Sequence, residues 1–442
     1  AATFIAYNYN TPVDTTAFER EARRILDEVE AELGWMYETW HPHCDDPKRV
    51  KGKINYTVWS DVFLCPNCST EIVLWEAAVD KTTRRVLDEF RCPTCSVKLT
   101  KNQLERDMET FLDPTSGETV KRSKIVPVLI NYSADTTRYE KSPDAEDVRL
   151  VEASKQIRVP YWYPKRRIDE DIDLWYERDY RSLGMYSVDQ FYTYRNLLMS
   201  SFMWQRGKQV VDHVIRNRVL CWIQSVVMGF SRLNRYRKDG YSQVNQLLSG
   251  TLYVGAFTAE ITPWYALTGK ISRIAHMSSA ASKRETILET RTTSATSWPS
   301  NTVDYIFIDP PFGSNIIYSD LSYVWESWLG LFTSPEAEAV VHRRKKQGHS
   351  LSDYQRMMEA SLRQLFRVLK PGRWLTIEFH NTQNAVWNAI QEATLRAGFV
   401  IADVRTLDKG MGSYKQVTAV GATKQDLVIS AYKPNGGFEE RF

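Results

Sequence analysis

Apolar residues recur at helical spacing over residues 15–35 and again over residues 190–237. In the first stretch they fall on one stripe, which predicts an amphipathic helix with one buried face; the positions are Phe18, Ala22, Ile25, Leu26, Val29 and Leu33. Thr15 is the predicted N-cap, Glu19 lies near capping-box distance from it, and Gly34 is the predicted stop.

Between and after these helical regions the pattern changes. Residues 36–125 consist of short alternating runs broken by Pro, Gly and Asn, which predicts a small β-rich module. Residues 126–185 are polar and interrupted by prolines, and they include Tyr161–Arg167, where aromatic side chains adjoin bases. That mixture is typical of nucleic-acid surfaces and also of solvated loops. Residues 251–257 predict a strand, and residues 275–300 predict a Ser/Thr-rich loop.

From residue 303 onwards predicted strands and helices alternate. Val303–Ile308 is expected to be a buried strand because it is almost continuously apolar. Further strands are predicted at Trp374–Phe379, Phe399–Val404 and Leu427–Tyr432, and helices at Tyr354–Leu369 and Ala385–Ala397. This order predicts a largely parallel α/β sheet that is closed by a terminal β-hairpin.

The composition is that of a globular protein. Of the 442 residues, 43% are hydrophobic and 25% are charged, and the formal net charge is +3. This slightly basic balance is compatible with a polyanionic partner without requiring one. The sequence has no run of about 18 apolar residues, and its first residues lack the basic and apolar regions of a signal peptide. We therefore expect a cytoplasmic protein with no membrane partner.

Four of the six cysteines form two Cys-x2-Cys pairs with 23 residues between them: Cys65 with Cys68, and Cys92 with Cys95. Each Cys-Pro-x-Cys turn can place two sulfurs on one side of a tight knuckle, and two knuckles complete a tetrahedral site for Zn²⁺. Because four thiolates leave no ligand position open, the predicted zinc is structural. Two coincidental redox pairs are the alternative. Cys44 and Cys221 are expected to be ordinary thiols.

The strongest candidate for catalysis is Asp309-Pro310-Pro311-Phe312-Gly313, which directly follows the predicted strand Val303–Ile308. Ligands of open α/β sheets bind at the carboxyl ends of strands, and two prolines stiffen this turn. Methylation of an exocyclic base amine needs such a turn, because the lone pair of that amine is delocalised into the ring. Hydrogen bonds to the Asp309 carboxylate and the Pro310 carbonyl would make the nitrogen more tetrahedral. Phe312 could then stack on a base rotated out of the helix. An incidental acidic turn is the alternative.

This turn resembles motif IV of amino-methyltransferases, and its surroundings resemble a family of bacterial site-specific DNA methyltransferases with a central zinc ribbon. The resembling segments are Ala1–Asp14, Phe191–Asn196, Leu248–Gly255, Gly313–Trp328 and Leu369–Asn381. The resemblance implies an α/β fold: a class I, Rossmann-like methyltransferase sheet with an inserted zinc ribbon and a mainly helical target-recognition region. It also implies S-adenosylmethionine as the cofactor and Asp309, Pro310, Pro311 and Phe312 as catalytic residues.

The resemblance predicts four domains along the chain. Residues 1–45 would be an N-terminal remnant of the methyltransferase core, and residues 46–125 the zinc-ribbon insertion. Residues 126–300 would form a helical and loop region that recognises the target sequence. Residues 301–442 would complete the core and carry the catalytic motif.

One element of the family pattern is missing from the sequence. Such enzymes carry a glycine-rich FxGxG turn after their first strand, against which the methionine part of the cofactor lies. No such strand–turn–helix segment occurs here. In the family this turn lies just before the stretch that matches Ala1–Asp14. We therefore expect the cofactor motif to come from an N-terminal fragment or from another polypeptide. The alternative is a degenerate protein that binds DNA without methylating it.

Four residues are candidates for contact with the cofactor: Asn315, Tyr318, Glu378 and Ser294. Asn315 and Tyr318 follow the catalytic turn and could contact the flipped base or the methionine carboxylate, or they could cap a helix. Glu378 lies at the carboxyl end of the next predicted strand, together with His380 and Asn381. Ser294 lies in the loop before the motif strand, where it could reach the cofactor adenine. Three lysines around the terminal hairpin could meet phosphates: Lys409, Lys415 and Lys424.

The leading hypothesis is methylation of adenine N6 in double-stranded DNA with a flipped base, in restriction–modification or phage defence in a bacterial cytoplasm. Methylation of cytosine N4 is a close alternative, since it also acts on an exocyclic amine; aspartate as the first motif residue favours adenine. RNA guanine-N2 methylation uses a similar turn, but the zinc-ribbon arrangement favours DNA. A third hypothesis is a DNA-binding subunit whose partner supplies the cofactor half.

Overall fold

The computed structural model divides the chain into two compact units. The first unit contains Ala1–Leu288 and Ser322–Leu331, and the second contains Glu289–Leu321 and Phe332–Phe442. The described residues are 1–80, 83, 85–170, 172–237, 244, 247–248, 251–277, 285–313, 316–341, 349–380, 384–408 and 425–437. Within these ranges no helix combines the length and apolar character that a membrane crossing needs. The boundaries of the four predicted domains stay predictions.

The first unit is organised around one strand of 14 residues, β2, which pairs with five other strands of a seven-stranded sheet. The sheet order is β1-β2-β9-β10, and β3, β6 and β11 also pair with β2. Two smaller sheets pair β4 with β5 and β7 with β8. The strands are β1 Glu38–Trp40, β2 Lys51–Leu64, β3 Glu71–Val73, β4 Glu89–Arg91, β5 Lys98–Thr100, β6 Glu105–Arg106, β7 Met108–Leu112, β8 Thr119–Ser123, β9 Ile125–Ala134, β10 Thr137–Lys141 and β11 Phe257–Ile261.

The helix predicted at residues 15–35 is confirmed. The helical prediction at residues 190–237 is confirmed over Tyr194–Lys208 and His213–Gln224, whereas residues 225–237 are not helical. The helices of the first unit are α1 Ala2–Asn10, α2 Thr15–Leu33, α3 Leu74–Ala78, α4 Ala145–Lys155, α5 Leu174–Glu177, α6 Tyr180–Leu183, α7 Tyr194–Lys208, α8 His213–Gln224, α9 Pro263–Leu267 and α10 Ile271–Ala275. The predicted apolar stripe of α2 is buried. Its N-cap is Asp14 rather than Thr15, because the Asp14 carboxylate accepts a hydrogen bond from the Ala17 amide at 3.0 Å.

Two expectations for the first unit were wrong. Residues 126–141 were expected to belong to a helical and loop region, but β9 and β10 form a hairpin that pairs with β2. Pro127 argued against a strand, because proline lacks the amide hydrogen that a ladder needs. It lies at a register shift of the β2–β9 ladder, where a missing amide donor is tolerated. The strand expected at residues 251–257 starts only at Phe257, since Leu252 has a positive φ of 45° that breaks an extended run.

A buried ion pair ties the sheet of the first unit to its helices. Arg195 on α7 and Glu260 on β11 are only 4% and 3% exposed. The guanidinium also donates to the Met36 carbonyl at 3.0 Å, and Trp59 on β2 donates to the Glu260 carboxylate at 3.0 Å. Each charge is thus paired and hydrogen-bonded, which a buried charge requires.

The second unit carries a four-stranded sheet in the order β12-β13-β15-β14. Its elements are β12 Val303–Ile308, α12 Leu351–Val368, β13 Leu369–Phe379, α13 Asn384–Arg396, β14 Val400–Asp408 and β15 Gln425–Tyr432; helix α11, Tyr318–Leu329, contributes residues to both units. The predicted strands, helices and terminal hairpin are all present. Among the described strands one pair, β12 with β13, is parallel and two pairs are antiparallel. The sheet is therefore less parallel than we expected.

The core of the second unit lies on one face of its sheet. Side chains of α12 and α13 pack there against Ile306, Leu375 and Ile377. Because strand side chains alternate between faces, Tyr305 and Phe307 point to the other face, and each is 56% exposed. The expectation of a fully buried strand at Val303–Ile308 was wrong for this reason.

Candidate active site and metal centre

The catalytic turn follows β12 at the carboxyl end of the parallel strand pair. Ile308, the last residue of β12, lies opposite Ile377 on β13, so Asp309 and the end of β13 meet at the same sheet edge. Asp309 is exposed while Pro310 is buried. The turn therefore combines an exposed aspartate with a buried proline beside it.

Contacts with distant residues fix the backbone of this turn. Buried Tyr354 on α12 donates its hydroxyl to the Pro311 carbonyl at 2.7 Å. Gly313 has a φ of 66°, a left-handed conformation that glycine adopts without a steric penalty. Its carbonyl accepts a hydrogen bond from the Val341 amide at 3.3 Å. The Pro311 carbonyl is thus already engaged, so the Pro310 carbonyl is the better candidate acceptor for a base amine.

Phe312 is half-buried rather than fully presented to solvent. Its ring meets the Phe379 ring edge-on, with 5.5 Å between centroids, and lies 6.2 Å from the His380 ring. These contacts join the turn to the carboxyl end of β13. Any stacking of a base on Phe312 would use the part of the ring that these contacts leave accessible.

The first turn of α11 is capped by an acidic side chain from a later part of the second unit. The buried Glu338 carboxylate accepts hydrogen bonds from the Tyr318 amide at 2.6 Å and from the Ser319 amide. Burial, followed by the charges of Asp309 and Glu338, raises the pKa of Tyr318 to about 12. A cofactor carboxylate at this helix start would meet a carboxylate already bound there, which does not favour the predicted methionine contact of Tyr318.

The remaining cofactor candidates do not converge on one surface. Ser294 lies in a segment tied to the C-terminal end of α12, where Arg367 donates to the Trp298 carbonyl at 2.8 Å. That end adjoins the beginnings of β12 and β13, whereas the catalytic turn follows the end of β12. Glu378 does lie at the turn's edge of the sheet, one residue before the end of β13. Asn315 lies outside the described residues, as do Asn381, Lys409, Lys415 and Lys424.

The described residues do not by themselves fit S-adenosylmethionine. Among the described candidates, Ser294 lies at the opposite end of β12, and the helix start at Tyr318 already binds the Glu338 carboxylate. Glu378, the remaining described candidate, lies near the turn. The sequence also provides no glycine-rich turn between a strand and a helix for close approach of the cofactor. These described residues therefore do not assemble a surface for a methyl donor.

Sequence reasoning missed one pair beside the turn. Asp426 on β15 places its Oδ1 2.7 Å from Nδ1 of His380, and the Asp426 side chain is only 3% exposed. His380 had been a candidate, either as a functional or as a structural histidine. Nothing in the sequence marks Asp426 as its partner, because the two residues lie 46 positions apart and meet only through the pairing of β13 with β15.

The four predicted zinc ligands come together in the first unit. Their sulfur atoms all lie within 4.8 Å of one another, with 3.8 Å between Cys65 and Cys95 and 3.7 Å between Cys68 and Cys92. A tetrahedron with Zn–S bonds of about 2.3 Å has edges of about 3.8 Å. The cluster thus has the size of a four-thiolate zinc site.

Two equivalent knuckles produce this arrangement. Ser69 and Ser96, each four residues after the first cysteine of its pair, have positive φ values of 57° and 60°. Their amides donate to the carbonyls of Cys65 and Cys92 at 2.9 and 3.0 Å. Hydrogen bonding with Thr70 lowers the pKa of the Cys68 thiol to about 6, and burial raises the pKa of the Cys65 thiol to about 11. Zinc binding needs all four groups as thiolates and therefore releases protons.

Three residues of the aromatic and basic run Tyr161–Arg167 line a cleft of the first unit: Tyr163, Lys165 and Arg167. Lys165 stacks on Tyr163 with 4.9 Å from Nζ to the ring centroid, and Arg167 pairs with Asp169 at 2.6 Å. The cleft is lined by five basic side chains (Arg106, Lys121, Lys165, Arg167 and Arg181) and five acidic ones (Glu105, Asp113, Glu118, Asp179 and Asp189). This balance gives the cleft no excess of positive charge for a phosphate backbone.

No protein-family model matches the chain, and no curated protein matches its sequence. Among solved structures it is similar to a protein from Thermus thermophilus that is provisionally described as a DNA modification methylase. The identity is 18% over 32% of this chain and 50% of that one, with a TM-score of 0.19. A second structure of that protein, in complex with S-adenosyl-L-methionine, aligns over 32% of this chain and 51% of its own length at 18% identity and a TM-score of 0.20.

A further solved structure, the [4+2]-cyclase SpnF, matches 37% of this chain and 63% of its own length at 12% identity and a TM-score of 0.21. The aligned part of this chain thus spans about half the length of the methylase structures. TM-scores near 0.2 are too low to establish a common fold. Neither the fold nor the chemistry of this chain is taken from these likenesses.

Proposed function

We propose that this protein methylates an exocyclic base amine in DNA, most specifically adenine N6, with S-adenosylmethionine as the methyl donor. The observation that carries the proposal is the exposed carboxylate of Asp309 on a turn whose backbone is anchored by buried Pro310 and by Tyr354. Two hydrogen-bond acceptors on such a turn, the Asp309 carboxylate and the Pro310 carbonyl, can hold both hydrogens of an NH2 group. The amine then loses conjugation with its ring and becomes nucleophilic.

We propose roles in base binding for three residues of the turn. The Asp309 carboxylate accepts one amine hydrogen, and the Pro310 carbonyl accepts the other. Phe312 sets the edge of the base pocket through its contact with Phe379. S-adenosylmethionine supplies an electrophilic methyl group, and we propose that residues other than those described complete its binding surface.

The zinc cluster and the rest of the first unit would serve the same reaction by holding the DNA. Base readout needs an element outside the catalytic core, and residues 126–300 are the proposed target-recognition region. A role in restriction–modification or phage defence in a bacterial cytoplasm is part of this proposal, as is a partner that provides the missing glycine-rich turn.

The test is expression of the protein, with any partner encoded beside it, in a methylation-deficient bacterial host. We expect N6-methyladenine at a defined sequence in the host DNA, detected by single-molecule sequencing, and its loss in an Asp309→Ala variant. Asp304→Ala is the matched control, because Asp304 is an exposed carboxylate on β12 that pairs with Lys370 away from the turn. Equal methylation in the Asp309→Ala variant and the wild type would overturn the proposal.

In vitro transfer of tritium from labelled S-adenosylmethionine separates the alternatives. Label in DNA supports the proposal, and base analysis distinguishes adenine N6 from cytosine N4. Label in RNA alone would indicate guanine-N2 methylation instead. DNA binding without any transfer, even with a partner present, would indicate a DNA-binding subunit that lacks catalytic function.

A further inference from the structure

A buried carboxylate lies behind the histidine at the end of β13. Asp426 Oδ1 is 2.7 Å from His380 Nδ1, while 21% of the His380 side chain is exposed. This close contact lies at Nδ1, which makes no aligned hydrogen bond in the structure, and it leaves Nε2 directed away from Asp426. Carboxylates that contact one ring nitrogen fix the tautomer and leave the other nitrogen for chemistry.

The ring of this histidine belongs to the edge that carries the catalytic turn. β12 and β13 are parallel neighbours, and Ile308 pairs with Ile377, so His380 follows its strand at nearly the level where Asp309 follows its own. Adjacent strands are about 4.8 Å apart. The 6.2 Å separation of the Phe312 and His380 rings shows that the turn and the histidine are in contact.

We propose that His380, oriented by Asp426, accepts the proton that leaves the base amine during methyl transfer; this inference rests on the function proposed above. As the amine nitrogen bonds to the methyl carbon, the carbon–sulfur bond of the methyl sulfonium donor breaks and its electron pair stays on sulfur. The nitrogen then carries one proton too many, and the proton that the Asp309 carboxylate holds passes through that carboxylate to Nε2 of His380. The imidazolium later releases this proton to solvent through the exposed part of its ring.

The charges around His380 support this role. Asp426 faces it from β15, and at the same sheet edge lie Asp309 after β12 and Glu378 on β13. All three side chains are carboxylates. An imidazole is also the side chain whose ordinary pKa lies nearest neutrality, whereas an ordinary aspartate retains a proton poorly at pH 7. Asp426 is a positioning residue in this scheme, since it acts through His380.

The kinetic test compares wild type with His380→Asn and Asp426→Asn in the active enzyme, with kcat and KM measured from acid to neutral pH. We expect His380→Asn to lower kcat by about 10²-fold, to leave KM for DNA unchanged, and to abolish the fall of kcat at acid pH. Asp426→Asn should lower kcat by a smaller factor than His380→Asn does. The exposed His276 of the first unit provides the matched control, and His276→Asn should behave as wild type.

A second measurement does not depend on turnover. Nitrogen-15 shifts of His380 in selectively labelled protein report its tautomer, and we expect the neutral ring to carry its hydrogen on Nδ1. A hydrogen on Nε2 would leave no acceptor for the amine proton and would overturn the inference, even if the variants failed to fold.

The outcomes also separate this inference from the proposed function. The proton role alone is wrong under the following result. The wild-type enzyme methylates DNA and Asp309→Ala does not, but His380→Asn keeps the full kcat and the fall of kcat at acid pH. If the wild-type protein transfers no methyl group to DNA with its partner present, the function and the proton role are both overturned.

Discussion

Replacing one zinc ligand should release the metal and unfold the small sheets around it. The sulfur separations of 3.7 and 3.8 Å already match a zinc-centred tetrahedron, so little rearrangement is needed on binding. Structural zinc sites bind with about 10–16 kcal/mol at pH 7. If each thiolate contributes about a quarter of this, Cys65→Ser should weaken zinc binding by roughly 3–4 kcal/mol, or about 10²–10³-fold.

The effect on stability follows from how small the local core is. Beside the two buried cysteines, the cluster contains six buried apolar residues: Phe63, Ile72, Leu74, Ala78, Phe90 and Leu99. A hydrophobic core of this size is too small to stabilise a folded zinc-ribbon module without a bound metal or another cross-link. We therefore expect Cys65→Ser to expose this region to limited proteolysis while the second unit stays protected.

The assay is competition with a chromogenic chelator, with bound zinc counted by mass spectrometry. We expect one zinc per wild-type chain and a lower affinity at lower pH, because protonation of the thiolates opposes binding. Cys44→Ser is the control, since the Cys44 thiol donates to the His41 carbonyl and takes no part in the cluster. Wild-type protein that is free of zinc after expression in zinc-replete medium, or Cys65→Ser with unchanged affinity, would refute this reasoning.

Two further predictions concern single hydrogen bonds. Tyr354→Phe removes the hydroxyl that holds the Pro311 carbonyl, and we expect a loss of about 1 kcal/mol in chemical denaturation together with a lower kcat. Tyr305→Phe, which removes an exposed hydroxyl bonded to Thr376, should change neither quantity. Asp212 caps α8 through the amides of Ile215 and Val214, which lower the pKa of its carboxyl below the usual range. Its contribution to stability is therefore present above the unfolded-state pKa and lost as pH falls through the folded-state pKa. Asp212→Ser, which caps without titrating, should remove this acid-dependent loss in thermal melts from about pH 5 down to about pH 2, whereas identical pH profiles of the two proteins would contradict it.

Local patterns predicted the helices well because one strongly periodic face was sufficient evidence. The apolar stripe of α2 is buried as the spacing indicated, and α12 and α13 lie within a few residues of their predicted bounds. The cysteine cluster was predictable for a similar reason, since the spacing within each pair fixes one knuckle by itself. The convergence of the two knuckles on one site, by contrast, depends on the tertiary fold.

The failures came from features that depend on distant residues. β9 is rich in aliphatic residues, but Pro127 within it argued against a strand; pairing with β2 across a register shift accommodates this proline. Val303–Ile308 looks like a buried strand until it is known that α12 and α13 cover one face of the sheet. Ser294 looked close to the motif in sequence, although six residues of extended strand separate the two ends of β12.

The same dependence applies to the catalytic motif itself. The letters Asp-Pro-Pro-Phe specify a stiff turn, but they do not specify where its groups point. That direction comes from Tyr354, which lies 43 residues after Pro311, and from Phe379, which supplies the surface against which Phe312 rests. A chain with the same four letters but without these two partners would have the motif and lack the geometry. Under the proposed function, the turn therefore depends on these partners as well as on its own residues: Tyr354→Phe tests how the turn is held, and Asp309→Ala tests the carboxylate itself.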